Sequence, residues 1–119
     1  ANTEDIIQKV EAVEGEPSKR LLHLFEIAAQ DDDRLEKAMR IWAIHDARAA
    51  AVIERVDRQR LEYLESLFLQ IGFSKTDAEI RARVAYSVRL GWFIMALPSK
   101  PSKRLTEIQL VYKILSQRS

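Results

Sequence analysis

The sequence predicts an all-α fold of about six helices, and three observations carry that expectation. Only three glycines and three prolines punctuate 119 residues, so the chain has few turns and long elements. Its apolar residues recur three and four apart, the period of a helix with one buried face. The breaks in that period fall on residues that start or stop helices.

The elements follow in order. The first helix is expected over about Thr3 to Val13, with Ile6, Val10 and Val13 on one side, and Gly15 ends it. Pro17 suits the first turn of the second helix, where its missing N–H costs nothing. That helix runs to about Gln30 and buries Leu21, Leu24, Phe25 and Ala28. The triplet Asp31 to Asp33 lacks the glycine and distal glutamate of a calcium loop. It reads as an N-cap, with acids set against a positive helix end. The third helix places Leu35, Ala38, Met39, Trp42 and His45 on one stripe, which is expected to be its buried face.

Asp46 can cap a long fourth helix, about Ala47 to Ile71, that stops on Gly72. Its apolar side holds Ala49, Val52, Ile53, Val56, Leu61, Tyr63, Leu64, Leu67 and Phe68. Arg48, Glu54, Arg55, Arg58, Glu62, Glu65 and Ser66 lie opposite. Asp57 and Arg60 sit on or beside the apolar arc, and Arg60 is expected to be structural.

The fifth helix begins after Ser74 or Thr76, with Thr76 and Glu79 spaced as a capping box. It carries two apolar stripes. Ile80, Val84, Val88, Gly91 and Met95 form one. Ala78, Ala82, Ala85, Trp92 and Ala96 form the other, widened by Tyr86 and Phe93. A helix at the surface of a small monomer should show one apolar face, so two faces imply a second cover. Pro98 to Lys103 is expected to be a loop. The last helix has a main stripe of Leu105, Ile108, Val111, Tyr112 and Leu115 and a smaller one of Leu110 and Ile114. The economical inference is a hairpin of these two helices that pairs with its copy into a four-helix bundle. The interface expected from it comprises Ile80, Val84, Val88, Gly91, Met95, Leu105, Ile108 and Tyr112.

Composition excludes several chemistries. Apolar residues make up 47% and charged residues 31%, which suits a globular chain. Without cysteine, disulfides and zinc–cysteine sites cannot form, and a reducing, cytoplasmic setting is the expectation. The longest apolar run, Leu90 to Leu97, falls short of the roughly 20 residues of a membrane span. A net charge of +1 is too balanced to mark a nucleic-acid surface. Residues 1–16 are acidic and residues 98–119 basic, which reads as solvated helix ends. The two histidines, His23 and His45, have no second ligand at helical spacing, so no metal or cofactor is expected. No serine has a nucleophile context and no phosphate loop is possible, so the chain is not expected to be an enzyme.

Polar residues within apolar arcs leave two readings open. His45 is a hydrogen-bonded boundary histidine or a polar contact in a ligand cavity. Arg81 and Arg89 are ion-paired, for example with Asp57 or across a subunit interface, or one meets an acidic ligand. Trp42, Tyr63, Tyr86, Trp92 and Phe93 are core, or they line a cavity. His45, Arg89 and these five aromatics are the candidate ligand-binding residues.

The succession of a Trp, an Asp, "AAVIERVDRQRLEYLESLFLQIGF" and "DAEIRARVAYSVRLGWFIM" resembles the C-terminal regulatory domain of TetR-like (tetracycline-repressor-like) transcriptional regulators. Val56, Asp57, Arg60, Gly72, Ala78, Arg81, Ala82 and Gly91 carry the likeness, which spans about Pro17 to Ala96. The resemblance implies a homodimer that binds a small apolar or amphipathic effector. It also implies operator DNA as a partner, read by an N-terminal helix-turn-helix that these residues do not include. Residues 1–14 would then be the connecting helix from that missing head, and residues 15–119 the ligand-binding and dimerisation domain. Ligand binding would shift the spacing of two DNA-reading heads. A helical adaptor or scaffold, with its two-faced helices binding another protein, is the alternative. Nothing in the sequence names the effector, the operator, or the sign of the response.

Overall fold

The computed structural model describes residues 2–95, 97 and 100–118. Among them lie six α-helices and no strand: α1 (Thr3–Glu11), α2 (Pro17–Gln30), α3 (Arg34–Ala43), α4 (Ala47–Ile71), α5 (Lys75–Ile94) and α6 (Pro101–Ser116). Ala96, expected at the end of one stripe, and Pro98 and Ser99 of the expected loop lie outside the described residues.

Most helix ends follow local chemistry. Asn2 accepts the Asp5 N–H at the start of α1, and Asp46 accepts the N–H groups of Arg48 and Ala49 at the start of α4. Gly72 closes α4 with φ of 120°, a left-handed conformation that only glycine takes without strain. The first helix stops at Glu11, two residues before the expected Val13. The expected capping box at Thr76 is not used. Ser74 caps α5 instead, accepting the Asp77 N–H at 3.2 Å. Asp33 occupies the cap position of α3 without a capping bond. Its carboxylate is drawn to the Arg104 guanidinium at 3.3 Å, and Asp32 accepts the Arg34 N–H in its place.

The core forms where α2, α4, α5 and α6 meet. Leu21, Phe25 and Ala29 of α2 pack with Leu64, Leu67 and Phe68 of α4, with Ala78, Ala82, Ala85 and Tyr86 of α5, and with Ile108 and Leu115 of α6. Three alanines on α5 keep that helix close to α4, because small side chains let backbones approach. α2 and α4 are the central pair; α1 and α6 flank α2, and α3 and α5 flank α4.

Two expectations about packing change. The hairpin of the last two helices is loose. α6 lies chiefly along α2, with Tyr112 edge-on to Phe25 at 6.2 Å between ring centres. It meets α5 through long side chains, Arg81 to the Leu115 carbonyl at 2.7 Å and Trp92 to Glu107 at 3.3 Å.

The second change concerns α3, which is turned over relative to the expectation. Leu35 is 75% exposed and Trp42 58% exposed, His45 is exposed, and no residue of α3 is buried. The helix instead turns Glu36 and Arg40 inward, with side chains only 14% and 21% exposed. The physical reason lies opposite it. Arg60, Arg89 and Asp57 are half-buried on α4 and α5, and a half-buried charge without a partner costs more than an exposed leucine.

Candidate functional site

A largely apolar cavity of about 80 Å³ opens between α1, α2, α4, α5 and α6. Ile6 and Ile7 of α1, Leu24, Phe25 and Ala28 of α2, Leu64 of α4, Ala85 of α5 and Ile108 of α6 make most of its wall. Thr3, Asp31, Arg60, Tyr63, Tyr86, Arg89 and Trp92 contribute the polar atoms. At roughly 30 Å³ per water in the liquid, this is room for about two or three waters. A wider groove of about 390 Å³ lies outside, between α1, α3 and α4. Thr3, Asp31 and Arg60 line both spaces, so they form the partition between groove and cavity.

The polar wall is one connected cluster. Glu36 accepts from three arginines: Arg89 at 2.9 and 3.1 Å, Arg60 at 2.8 Å and Arg40 at 3.1 Å. Arg40 also donates to both oxygens of Asp57, at 2.6 and 3.2 Å. The Tyr86 hydroxyl donates to Asp57 in a short bond and accepts from Arg40 at 3.1 Å and Arg60 at 3.2 Å. Arg60 completes its set by donating to the Thr3 hydroxyl at 3.0 Å. Three guanidiniums thus face two carboxylates. Two-point arginine–carboxylate pairs are among the strongest polar contacts available to a protein.

Titration follows from this geometry. Burial alone would push the Glu36 carboxyl up, but Arg89 and Arg60 outweigh it and hold Glu36 at about 2. Asp57 is likewise lowered, burial being outweighed by Arg40 and the Tyr86 hydroxyl. Tyr86 is raised by burial and by its bond to Asp57. Tyr63 is raised by burial and by donating to Glu11 at 2.6 Å. All these groups hold their pH 7 charge states in the fold.

The expected ligand-binding residues divide. Tyr63, Tyr86, Arg89 and Trp92 meet in the cavity wall. Trp42 and His45 stand on the outer side of α3 and its following turn, away from it. Phe93 lies under the guanidinium of Arg89, 4.9 Å from its ring centre, outside the lining. Arg81 and Arg89 both pair with carboxylates of the same chain. Arg81 takes Asp77 at 2.7 Å and stacks on Phe73, while Arg89 takes Glu36 at 2.9 Å; Asp57, offered as an example of a partner, pairs with Arg40. Glu36, Arg40 and Thr3 went unforeseen. The spacing of four between Glu36 and Arg40 was a readable signal, but it suits a solvated helix face equally well.

Along α5, Ile80 is 58% and Met95 63% exposed, with Val84 also exposed. Val88 and Gly91 are half-buried. Ile108 is buried in the chain's own core, with Leu105 and Tyr112 packed against it. On α6 the exposed apolar residues are Leu110 and Ile114.

Among the described residues no group of three or more acids and histidines could hold a metal, and no helix is long and apolar enough to cross a membrane. Comparison with family models, curated proteins and solved structures finds no match to the chain.

Proposed function

We propose that the chain is the effector-binding and dimerisation domain of a TetR-like transcriptional repressor. The observation that carries this reading is the position of α1. It walls the apolar cavity with Thr3, Ile6 and Ile7, and it is tied to α4 at both ends. Thr3 is held by Arg60 and Glu11 by Tyr63, and both of these α4 residues also line the cavity. A molecule that fills the cavity meets the residues that set α1. If α1 continues toward a DNA-reading head, occupancy biases the setting of that head, which is the form a two-state switch requires.

The exposed stripe on α5 supports the dimer. Contiguous apolar surface on a small helical chain marks a contact site, and among the described residues nothing packs tightly against Gly91. A Cβ there would meet only the Met95 side chain, at 3.8 Å. Glycine inside a helix costs about 1 kcal/mol relative to alanine, and a close helix from a second copy would account for it. The test is sedimentation velocity at micromolar concentration. The reading expects a dimer for the native chain and a monomer or aggregate for Gly91→Leu. A Gly91→Leu chain that remains a stable dimer removes Gly91 from the interface.

The adaptor reading draws on the outward face of α3, where Leu35, Ile41, Trp42 and Ile44 are exposed. It expects a monomeric chain whose cavity stays empty.

A further inference from the structure

We propose that the groove between α4 and α5 takes the outward ridge of α6 from a second copy of the chain, each copy giving one ridge and receiving one. This rests on the dimer reading and names the surfaces that meet. It brings α4 into the interface. On α6 it replaces Leu105, Ile108 and Tyr112, which serve the chain's own core, with Leu110, Lys113 and Ile114.

The groove has a volume of about 360 Å³. Leu61 of α4 and Ile80 and Val84 of α5 give it apolar walls, and Glu65, Glu79 and Arg83 add charge. Ile80 and Val84 are exposed, so the chain's own core covers neither. They stand one helical turn apart on one face of α5.

The ridge matches the groove in spacing and in charge. Leu110 and Ile114 are exposed on α6, again one turn apart. A row of side chains spaced by four on one helix seats in the groove of another. Lys113 is exposed beside them. With two acids and one arginine the groove is net negative, so a lysine is attracted there. Opposite charge across a contact fixes its register.

Height along the helices decides the occupant. Arg81 donates to the Leu115 carbonyl at 2.7 Å, and Trp92 donates to Glu107. The two helices therefore run antiparallel, and the turn of Ile80 and Val84 lies level with the end of α6 that carries Leu110 and Ile114. A two-fold axis running along the helices between them preserves height. It carries each ridge onto the partner's groove, so both contacts form at once, as a closed dimer requires. The same operation lays the partner's α6 along Gly91, two turns beyond Val84 on the same stripe. The chain cannot fill its own groove, because α6 is held along α2 with Ile108 and Leu115 buried.

The experiment is sedimentation equilibrium of the full chain and its variants, with circular dichroism as the check on folding. The native chain is expected to dimerise at micromolar concentration. Leu110→Asp and Ile114→Asp change exposed positions and should each raise the dimer Kd at least about tenfold. Trp42→Asp, on the outward face of α3, should leave it unchanged. Lys113→Glu should weaken the dimer, and Glu79→Lys or Glu65→Lys added to it should recover part of the loss. A folded Leu110→Asp or Ile114→Asp chain that dimerises as the native one does overturns the ridge while leaving a dimer through another surface. A monomeric native chain overturns both the ridge and the dimer reading. A second readout needs no variant. Zero-length carbodiimide cross-linking of a mixture of isotope-labelled and unlabelled native chains should join Lys113 of one copy to Glu79 or Glu65 of the other. Cross-links from Lys113 confined to single copies overturn the docking.

Discussion

Glu36 of α3 and Arg89 of α5 face each other through two parallel hydrogen bonds of 2.9 and 3.1 Å, in surroundings that leave their side chains 14% and 11% exposed. The pair joins two helices that also meet through Arg40 and the Tyr86 hydroxyl. It also explains why α3 turns its leucine and tryptophan to solvent. Its charged face answers the arginines, and its apolar face is what remains.

Acid should loosen this junction first. Glu36 is held at about 2 against an ordinary value of 4.5. A carboxyl lowered in the fold contributes stability that is complete above its unfolded value and is lost as pH falls through the folded one. Asp57 shifts in the same direction. The melting temperature should therefore hold steady from pH 7 to about 5 and fall between about 4.5 and 2. In Glu36→Gln the fall should be shallower, from a lower starting value. Identical acid profiles for the two chains would contradict the assignment.

Arg60 and Arg58 are two positions apart on α4 and should behave differently. Arg60 is 20% exposed and bonded to Glu36, Tyr86 and Thr3. Arg58 is 67% exposed and pairs with Glu54, one turn away. Surface pairs contribute about 0–1 kcal/mol, whereas removing one member of a buried cluster costs roughly 3–5 kcal/mol. Allowing for partial exposure, Arg60→Ala should cost at least about 2 kcal/mol in urea unfolding, and Arg58→Ala under about 1 kcal/mol. Equal costs would mean that the cluster does not form.

Tyr63→Phe isolates the clasp on α1. It removes the hydroxyl that donates to Glu11 while keeping the ring in the cavity wall. The loss should be modest, about 1 kcal/mol, as for one hydrogen bond. Amide exchange should quicken in α1 ahead of α2 and α4. Uniform quickening across the chain would show that α1 is not a separately held element.

The helices themselves were legible because their signals are local. Pro17, Asp46 and Gly72 act on their own neighbours, and each does in the structure what its chemistry predicts. Arg60 was legible as an inward residue because its helix has only one wet face. The orientation of α3 was not legible. Its Leu35 stripe and its Glu36–Arg40 edge lie on the same short helix, and which one turns inward depends on Arg60, Arg89 and Asp57, brought there by other helices. The same holds for Ile108, Leu105 and Tyr112. Their stripe marks a buried face, but only the packing against α2 tells whose core it enters. In the cavity, Tyr63, Tyr86, Arg89 and Trp92 were legible as polar-tipped residues on apolar arcs. Thr3 was not, since its role depends on a contact with Arg60, 57 residues away.

The central claim is a dimer in which each chain carries a ligand cavity, and native mass spectrometry of the purified chain tests it most directly. The account predicts a dimer at micromolar concentration and, where a ligand has been retained through purification, an added small mass per chain that is lost on denaturation. A monomer with no added mass would contradict the account and move the adaptor reading ahead.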